Sequence, residues 1–265
     1  MSPSRKALKL RLDTALLEQG LAKSPTEALA LIMSGVVTVD GQSATKPGCL
    51  VPEDAWVAVA QSARFVSRAG DKLEAALATF QLNVQGKVCA DVGASTGGFT
   101  DCLLQHGAAK VYAIDVGHGL LDPKLRADPR VAVRDGTNVR HLEKLPEPIA
   151  LVVADLSFIS LKLVLPVFRG WFSEHGEMVV LIKPQFEASE KEASQGKGVI
   201  SDPEIHRRVL SEVLGAAVLE GYGVRGLILS PIEGKKGGNR EFLAWLGYPK
   251  SNTVDISALV GQTVK

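Results

Sequence analysis

Residues 88–100, Val-Cys-Ala-Asp-Val-Gly-Ala-Ser-Thr-Gly-Gly-Phe-Thr, run a short apolar stretch into a turn that carries Gly93, Gly97 and Gly98, with Asp91 near the end of the stretch. A buried strand feeding a glycine turn and then a helix is the junction where doubly wound α/β sheets bind nucleotide-like ligands. Glycine permits close backbone approach there, and the helix start offers free N–H groups. The spacing Gly93-x-x-x-Gly97-Gly98 is neither the Gly-x-Gly-x-x-Gly of a dinucleotide site nor the Gly-x-x-x-x-Gly-Lys of a phosphate loop. A diphosphate is therefore not the indicated ligand. Further on, Val111-Tyr-Ala-Ile-Asp115 is a second apolar strand ending in a carboxylate, the usual place for a group that accepts both ribose hydroxyls. S-adenosylmethionine, with a ribose and an adenine but no phosphate, fits this pair. A glycine turn closing any α/β unit would carry part of the same signal, and the remainder of the chain discriminates.

The chain has 265 residues, 46% of them hydrophobic, enough for one large domain or one medium and one small. A formal net charge of +1 excludes a globally basic nucleic-acid binder, so any such surface must be local. Cys49, Cys89 and Cys102 form no CxxC pair, which argues against a zinc knuckle or a disulfide framework and for a reducing, cytoplasmic setting; no metal is expected. Cys89 and Cys102 read as small core residues. The polar start Met1-Ser-Pro-Ser-Arg-Lys lacks the apolar core of a signal peptide, and the most apolar region, 149–168, is interrupted by Asp155 and Lys162, so no membrane partner is expected.

Apolar residues recur at helical spacing from Leu12 to Leu17 and from Thr26 to Met33, the second run opened by Ser24-Pro25-Thr26-Glu27. Val36–Val39, the Asp40-Gly41 turn and Trp56–Val59 read as short strands, giving a compact α+β unit. Residues 63–70 are expected to be a linker. An opening helix over Asp71–Phe80 then precedes an alternating pattern, with strands expected at 88–92, 110–115, 131–134, 149–155, 177–183, 224–230 and 239–246. Helical stretches fall between most of them, as at Asp101–His106 and Pro203–Glu220. The last two strands, joined by Pro231–Gly238 with no room for a helix, should be antiparallel. Glu187–Ser201 is polar and reads as a mobile loop over the site.

Several stretches resemble a known family. Arg11–Leu17, Ala28–Met33, Gly35–Gly41 and Lys46-Pro47 are similar to S4-type RNA-binding domains. Val66–Leu73, Asp91–Asp101, Asp155–Leu161, Leu181–Glu187 and Gly238–Leu243 resemble the TlyA-type, or haemolysin A-like, 2′-O-ribose rRNA methyltransferases, in which an S4 domain is fused to an FtsJ-like domain. The resemblance implies a Rossmann-like, seven-stranded class I methyltransferase domain over 71–248, a small N-terminal α+β S4-like domain over 9–62, and a C-terminal tail over 249–265. It also implies S-adenosylmethionine as donor and, as acceptor, cytidine in 16S and/or 23S ribosomal RNA within ribosomal subunits.

Methylating a ribose hydroxyl requires in-line approach to the sulfonium methyl and a group that receives the hydroxyl proton. The family's Lys-Asp-Lys-Glu constellation falls on Lys72, Asp155, Lys183 and Glu241. Asp155 and Lys183 each end an apolar run and should converge at the carboxyl ends of adjacent strands, while Glu241 precedes the last run. Lys183 is the candidate to accept or orient the proton, and Lys72 to orient the ribose or contact phosphate. Asp91 is expected among the cofactor-binding residues, with Gly93, Ser95, Gly97 and Gly98 at the methionine portion, Asp115 at the ribose, and Asp135 or Asn138 at the adenine. Phe158 is expected to pack rather than stack. RNA contacts are expected from Arg5, Lys6, Lys9, Arg11, Lys23 and Lys46, from Arg64 and Arg68 in the linker, and from Lys235 and Lys236 before Glu241. Two other readings are a haemolysin-like membrane-active protein, disfavoured by the missing span and barrel pattern, and a non-catalytic RNA-binding module, disfavoured by the intact tetrad.

Overall fold

The computed structural model describes residues 9–33, 37–44, 46–59, 64–234, 238–251 and 254–264, and the chain divides into two compact units at Arg64/Phe65. In the first unit, β1 (Lys9–Arg11), α1 (Leu12–Glu18), α2 (Pro25–Met33), β2 (Val37–Val39), β3 (Gln42–Ser43), β4 (Leu50–Pro52) and β5 (Val57–Val59) follow one another. β1 pairs antiparallel with β4, and β2 lies between β3 and β5. The Asp40-Gly41 signal does turn the chain, both residues having positive φ, but the hairpin it closes is with the two-residue β3; Val57–Val59 pairs on the other side of β2. Leu12, Leu16, Ala28, Ile32 and Val37 are fully buried, so each helix contributes one apolar stripe to a small core.

The second unit begins with α3 (Ala69–Phe80), followed by β6 (Val88–Val92), α4 (Gly98–Gln105), β7 (Lys110–Ile114), α5 (Pro123–Arg126), β8 (Val131–Arg134), β9 (Leu151–Ala154), α6 (Leu165–Arg169), β10 (Gly176–Ile182), α7 (Pro184–Glu187), α8 (Glu190–Gln195), α9 (Pro203–Leu219), β11 (Gly223–Leu229), β12 (Phe242–Tyr248) and α10 (Ile256–Thr263). Seven strands form one sheet in the order β11-β12-β10-β9-β6-β7-β8. The five from β10 to β8 are parallel, and β12 inserts antiparallel between β10 and β11, as the short Pro231–Gly238 connection requires. Strands such as Leu151–Ala154 are apolar at every position because both faces are covered.

Three expectations are corrected. The expected linker over 63–70 contains Phe65, buried in the core, and the start of α3; a Cβ on Gly70 would fall within 2.3 Å of the Phe65 ring, so the two must pack without a side chain between them. The expected tail carries α10, which packs beside α9 and β11; its Val260, and Val264 just after it, lie in the core. The expected mobile loop over 187–201 contains α8, started by a reciprocal capping box in which Ser189 Oγ accepts from Glu192 N and Glu192 accepts from Ser189 N. Arg208 on α9 holds Glu192 with two bonds of 2.8 Å. The Ser-x-x-Glu signal lies in the sequence, where the polar composition of the segment obscured it.

Candidate active site

The carboxyl ends of β6, β9 and β10 open into a cavity of about 760 Å³. Asp155 directly follows β9 and Lys183 directly follows β10, so parallel pairing of these neighbouring strands brings the two side chains together: Lys183 Nζ lies 2.6 Å from Asp155 Oδ1. The contact is an ion pair off hydrogen-bond alignment, and the same Nζ donates to Ser157 Oγ at 3.0 Å. Lys72, one turn into α3, reaches Glu241 at the entrance of β12 with Nζ to Oε2 at 2.5 Å. The Lys72 and Glu241 side chains are 10% and 4% exposed, and an ion pair so enclosed costs desolvation that packing alone would not demand. Lys72, Asp155, Lys183 and Glu241, spread over 169 residues of sequence, thus line one space.

Asp91 forms another part of the lining. It is fully buried; Thr100 Oγ1 donates to its Oδ2 at 2.6 Å, while Oδ1 has no hydrogen-bond partner among the described residues. Burial pushes its pKa up to about 7, with the nearby Asp155 charge adding to the rise and the Thr100 bond opposing it. A buried carboxylate oxygen without a partner fits the ammonium end of an amino-acid-like ligand.

Gly93 and Ser95 line the cavity, both with positive φ. The glycines are required mainly by packing within the protein: a Cβ on Gly93 would stand 2.5 Å from the Asp155 carbonyl oxygen, one on Gly97 2.3 Å from Leu125, and one on Gly98 2.3 Å from Ser67 Oγ. Gly97 and Gly98 do not line the cavity, and neither do Asp115, Asp135 and Asn138. Asp115 accepts from Ser95 N and Gly117 N, both at 2.8 Å, and so fixes the glycine loop. Asp135 pairs with Arg126 at 2.8 Å and accepts from Gly119 N, and the Asn138 side chain accepts from Arg140 N. The residues present therefore fit the methionine end of S-adenosylmethionine at Asp91 and the Gly93–Thr96 turn, whereas the expected ribose and adenine contacts are engaged with their own loops.

Phe158 corrects its expectation. It is 88% exposed at the cavity, holds a left-handed φ of 62°, and its ring lies 4.9 Å from that of Phe186. Residues to which the sequence reading assigned no role also line the space: Ser67, Ser157, Gln185, Phe186 and Asn239. Asn239 holds the wall by accepting from Ile200 N at 2.9 Å and donating to the Gly198 carbonyl at 2.8 Å. Each lies in a stretch that carries the family resemblance: Ser67 in Val66–Leu73, Ser157 in Asp155–Leu161, Gln185 and Phe186 in Leu181–Glu187, and Asn239 in Gly238–Leu243. Outside the cavity, His106 and Glu74 pair at 2.6 Å beside Cys102, tying α4 to α3.

Of the expected RNA contacts, Lys9, Arg11, Lys23, Lys46 and Arg64 are exposed in the first unit, Arg11 in an ion pair with Asp13. Arg68 is exposed and lines the cavity of the second. Arg5, Lys6, Lys235 and Lys236 lie outside the described residues. Among the described residues no helix is long and apolar enough to cross a membrane.

Comparison with known proteins matches residues 65–248 to the FtsJ-like methyltransferase family and residues 10–57 to the S4 domain. The chain is 44% identical over 244 residues to the 16S/23S rRNA (cytidine-2′-O)-methyltransferase TlyA of Mycobacterium tuberculosis, covering 91% of this chain and 90% of that protein. It is 40% identical to Hemolysin A of Brachyspira hyodysenteriae, covering 89% and 98%. A solved structure from Streptococcus thermophilus, provisionally named a hemolysin, superposes with a TM-score of 0.73 at 40% identity over 96% of this chain and 95% of that one.

Proposed function

The chain belongs to the FtsJ-like methyltransferase family and carries an S4 domain, and we propose that it methylates the 2′-hydroxyl of a cytidine ribose in 16S and/or 23S ribosomal RNA, with S-adenosylmethionine as donor. The observation that carries this reading is the meeting of the Lys183–Asp155 and Lys72–Glu241 pairs around the cavity that also contains Asp91.

S-adenosylmethionine supplies a methyl group already activated by a positively charged sulfur. The protein then has to position an alcohol and manage its proton. Lys183 Nζ is the group for that proton: as the free amine it takes the proton from the hydroxyl while the oxygen bonds the methyl leaving the sulfur, and the ammonium it becomes is held by Asp155 on one side and the Ser157 hydroxyl on the other. Glu241 fixes Lys72 Nζ, which places a second cationic donor for the ribose oxygens or the adjoining phosphate. Asp91 Oδ1 receives the ammonium of the methionine portion. Phe158 offers an aromatic face for a splayed-out base, the form in which single nucleotides of folded RNA are recognised. The S4 unit, with Lys9, Arg11, Lys23 and Lys46 on its surface, provides RNA docking and no chemistry.

The test is methyl transfer from labelled S-adenosylmethionine to intact small subunits, intact large subunits and protein-free RNA. The expected product is a nuclease-resistant, 2′-O-methylated cytidine. Label found only on a base overturns the reading.

A further inference from the structure

Phe158 combines two unfavourable features, an apolar ring 88% open to solvent and a backbone in the left-handed region that a phenylalanine seldom adopts. Such a conformation persists only where the surroundings fix it. The fixing contacts come from α7. Glu187, at its end, receives the Ser160 hydroxyl at 2.6 Å on Oε2 and the Leu161 N–H at 2.7 Å on Oε1. One residue earlier, the Phe186 ring supports that of Phe158. At the other end of the same segment, Ser157 Oγ receives the bond from Lys183 Nζ. The segment 157–161 is thus held at both ends by the single stretch 183–187, and Glu187 is the only one of these groups that engages its far end with two bonds.

Resting on the rRNA methyltransferase reading, we propose that Glu187 is a positioning residue for the acceptor: it clamps the 157–161 segment so that Phe158 is presented at the cavity mouth, where the base of the target nucleotide stacks. Glu187 does not line the cavity, so it acts through Phe158 and not by touching RNA. A carboxylate suits the task because it accepts two bonds at once, one from a hydroxyl and one from a backbone N–H.

The experiment uses the full chain with ribosomal subunits. Glu187→Ala removes both bonds and should raise KM for the RNA substrate about tenfold while leaving S-adenosylmethionine affinity unchanged. Glu187→Gln should restore most of the loss, since its amide oxygen can accept from Leu161 N–H and its NH₂ can donate to Ser160. In a Phe158→Ala background, Glu187→Ala should change KM by less than about twofold, because the two residues act on one step. An unchanged KM in Glu187→Ala, or its full effect persisting without Phe158, overturns the proposal. If Glu187→Ala does not fold, Ser160→Ala, which removes one of the two bonds, is held to the same criteria.

A readout independent of substrate separates this inference from the function it rests on. With fluorophenylalanine incorporated, the ¹⁹F resonance of Phe158, assigned by its loss in Phe158→Ala, should shift or broaden in Glu187→Ala and return in Glu187→Gln. A wild-type chain that methylates no ribosomal RNA refutes the function. A Phe158 resonance indifferent to Glu187→Ala refutes the clamp.

Discussion

Lys183 and Asp155 occupy equivalent places, each the first residue beyond one of two hydrogen-bonded parallel strands, and their Nζ and Oδ1 atoms lie 2.6 Å apart. Parallel pairing brings both to the ligand-facing edge of the sheet: Val180 pairs with Ala154, β10 runs two residues further to Ile182, and the Lys183 side chain still reaches Asp155 across that offset. Lys183→Ala is accordingly expected to lower kcat for methyl transfer by about 100-fold or more, the scale of a lost proton-handling group. Cofactor affinity, measured by calorimetry, should stay close to wild type because the lysine acts on the acceptor oxygen. Unchanged turnover in this variant contradicts the role.

The Lys72–Glu241 pair lends itself to a double-mutant cycle. Lys72→Met or Glu241→Gln alone leaves one enclosed charge without its partner and should cost about 3 kcal/mol in urea unfolding. The double variant should be more stable than the sum of the two single losses predicts, yet remain inactive. Simple additivity would show that the two residues do not support each other.

Asp91 gives a pH dependence of defined sign. Its folded-state pKa of about 7 lies above the ordinary 3.8, so the folded protein holds this proton more tightly than the unfolded chain. The resulting stability is fully present below about pH 4 and is lost as pH rises to about 7. Asp91→Asn should therefore gain stability relative to wild type across that interval, by a few kcal/mol in all, with no further change above it. S-adenosylmethionine, whose ammonium favours the ionised carboxylate, should bind the wild type more tightly as pH rises through about 7, and the Asn variant should lack that trend. Parallel stability curves for the two proteins would refute the assignment.

Gly93→Ala places a methyl group 2.5 Å from the Asp155 carbonyl at a φ of +82°. The strain, about 1–3 kcal/mol, should appear as a lower unfolding midpoint together with reduced activity, since relief requires moving either the glycine turn or Asp155. Ala at Gly119, also at positive φ but with nothing near the added Cβ, should leave activity intact and serves as the control.

Residues 65–265, expressed without the first unit, should fold around their own core and retain cofactor binding. Methylation of ribosomal substrate should be lost. Full activity of this fragment would show that docking does not reside in the S4 unit.

The sheet of the second unit is legible in the amino-acid pattern, because buried parallel strands must be apolar throughout and the turns between them must be marked by glycine and polar residues. That is why 88–92, 110–114 and 131–134 were legible almost to the residue, and why a short Pro231–Gly238 connection required β12 to run antiparallel. The tetrad was legible in part, since strand ends in an open sheet converge by topology. Other features depended on contacts that sequence distance conceals. Glu187 bonds Ser160 across 27 residues of sequence, within the segment that carries the exposed Phe158. The polar stretch 187–201 acquired a helix because a capping box and Arg208 anchor it. Asp115 follows the end of β7, where its two oxygens meet Ser95 and Gly117, a competition between ligand and backbone donors that only three-dimensional packing decides. The orphaned oxygen of Asp91 belongs to the same class: its residue type is written in the chain, but its burial, and with it the pKa of about 7, exists only once Thr100 and the neighbouring strands close around it.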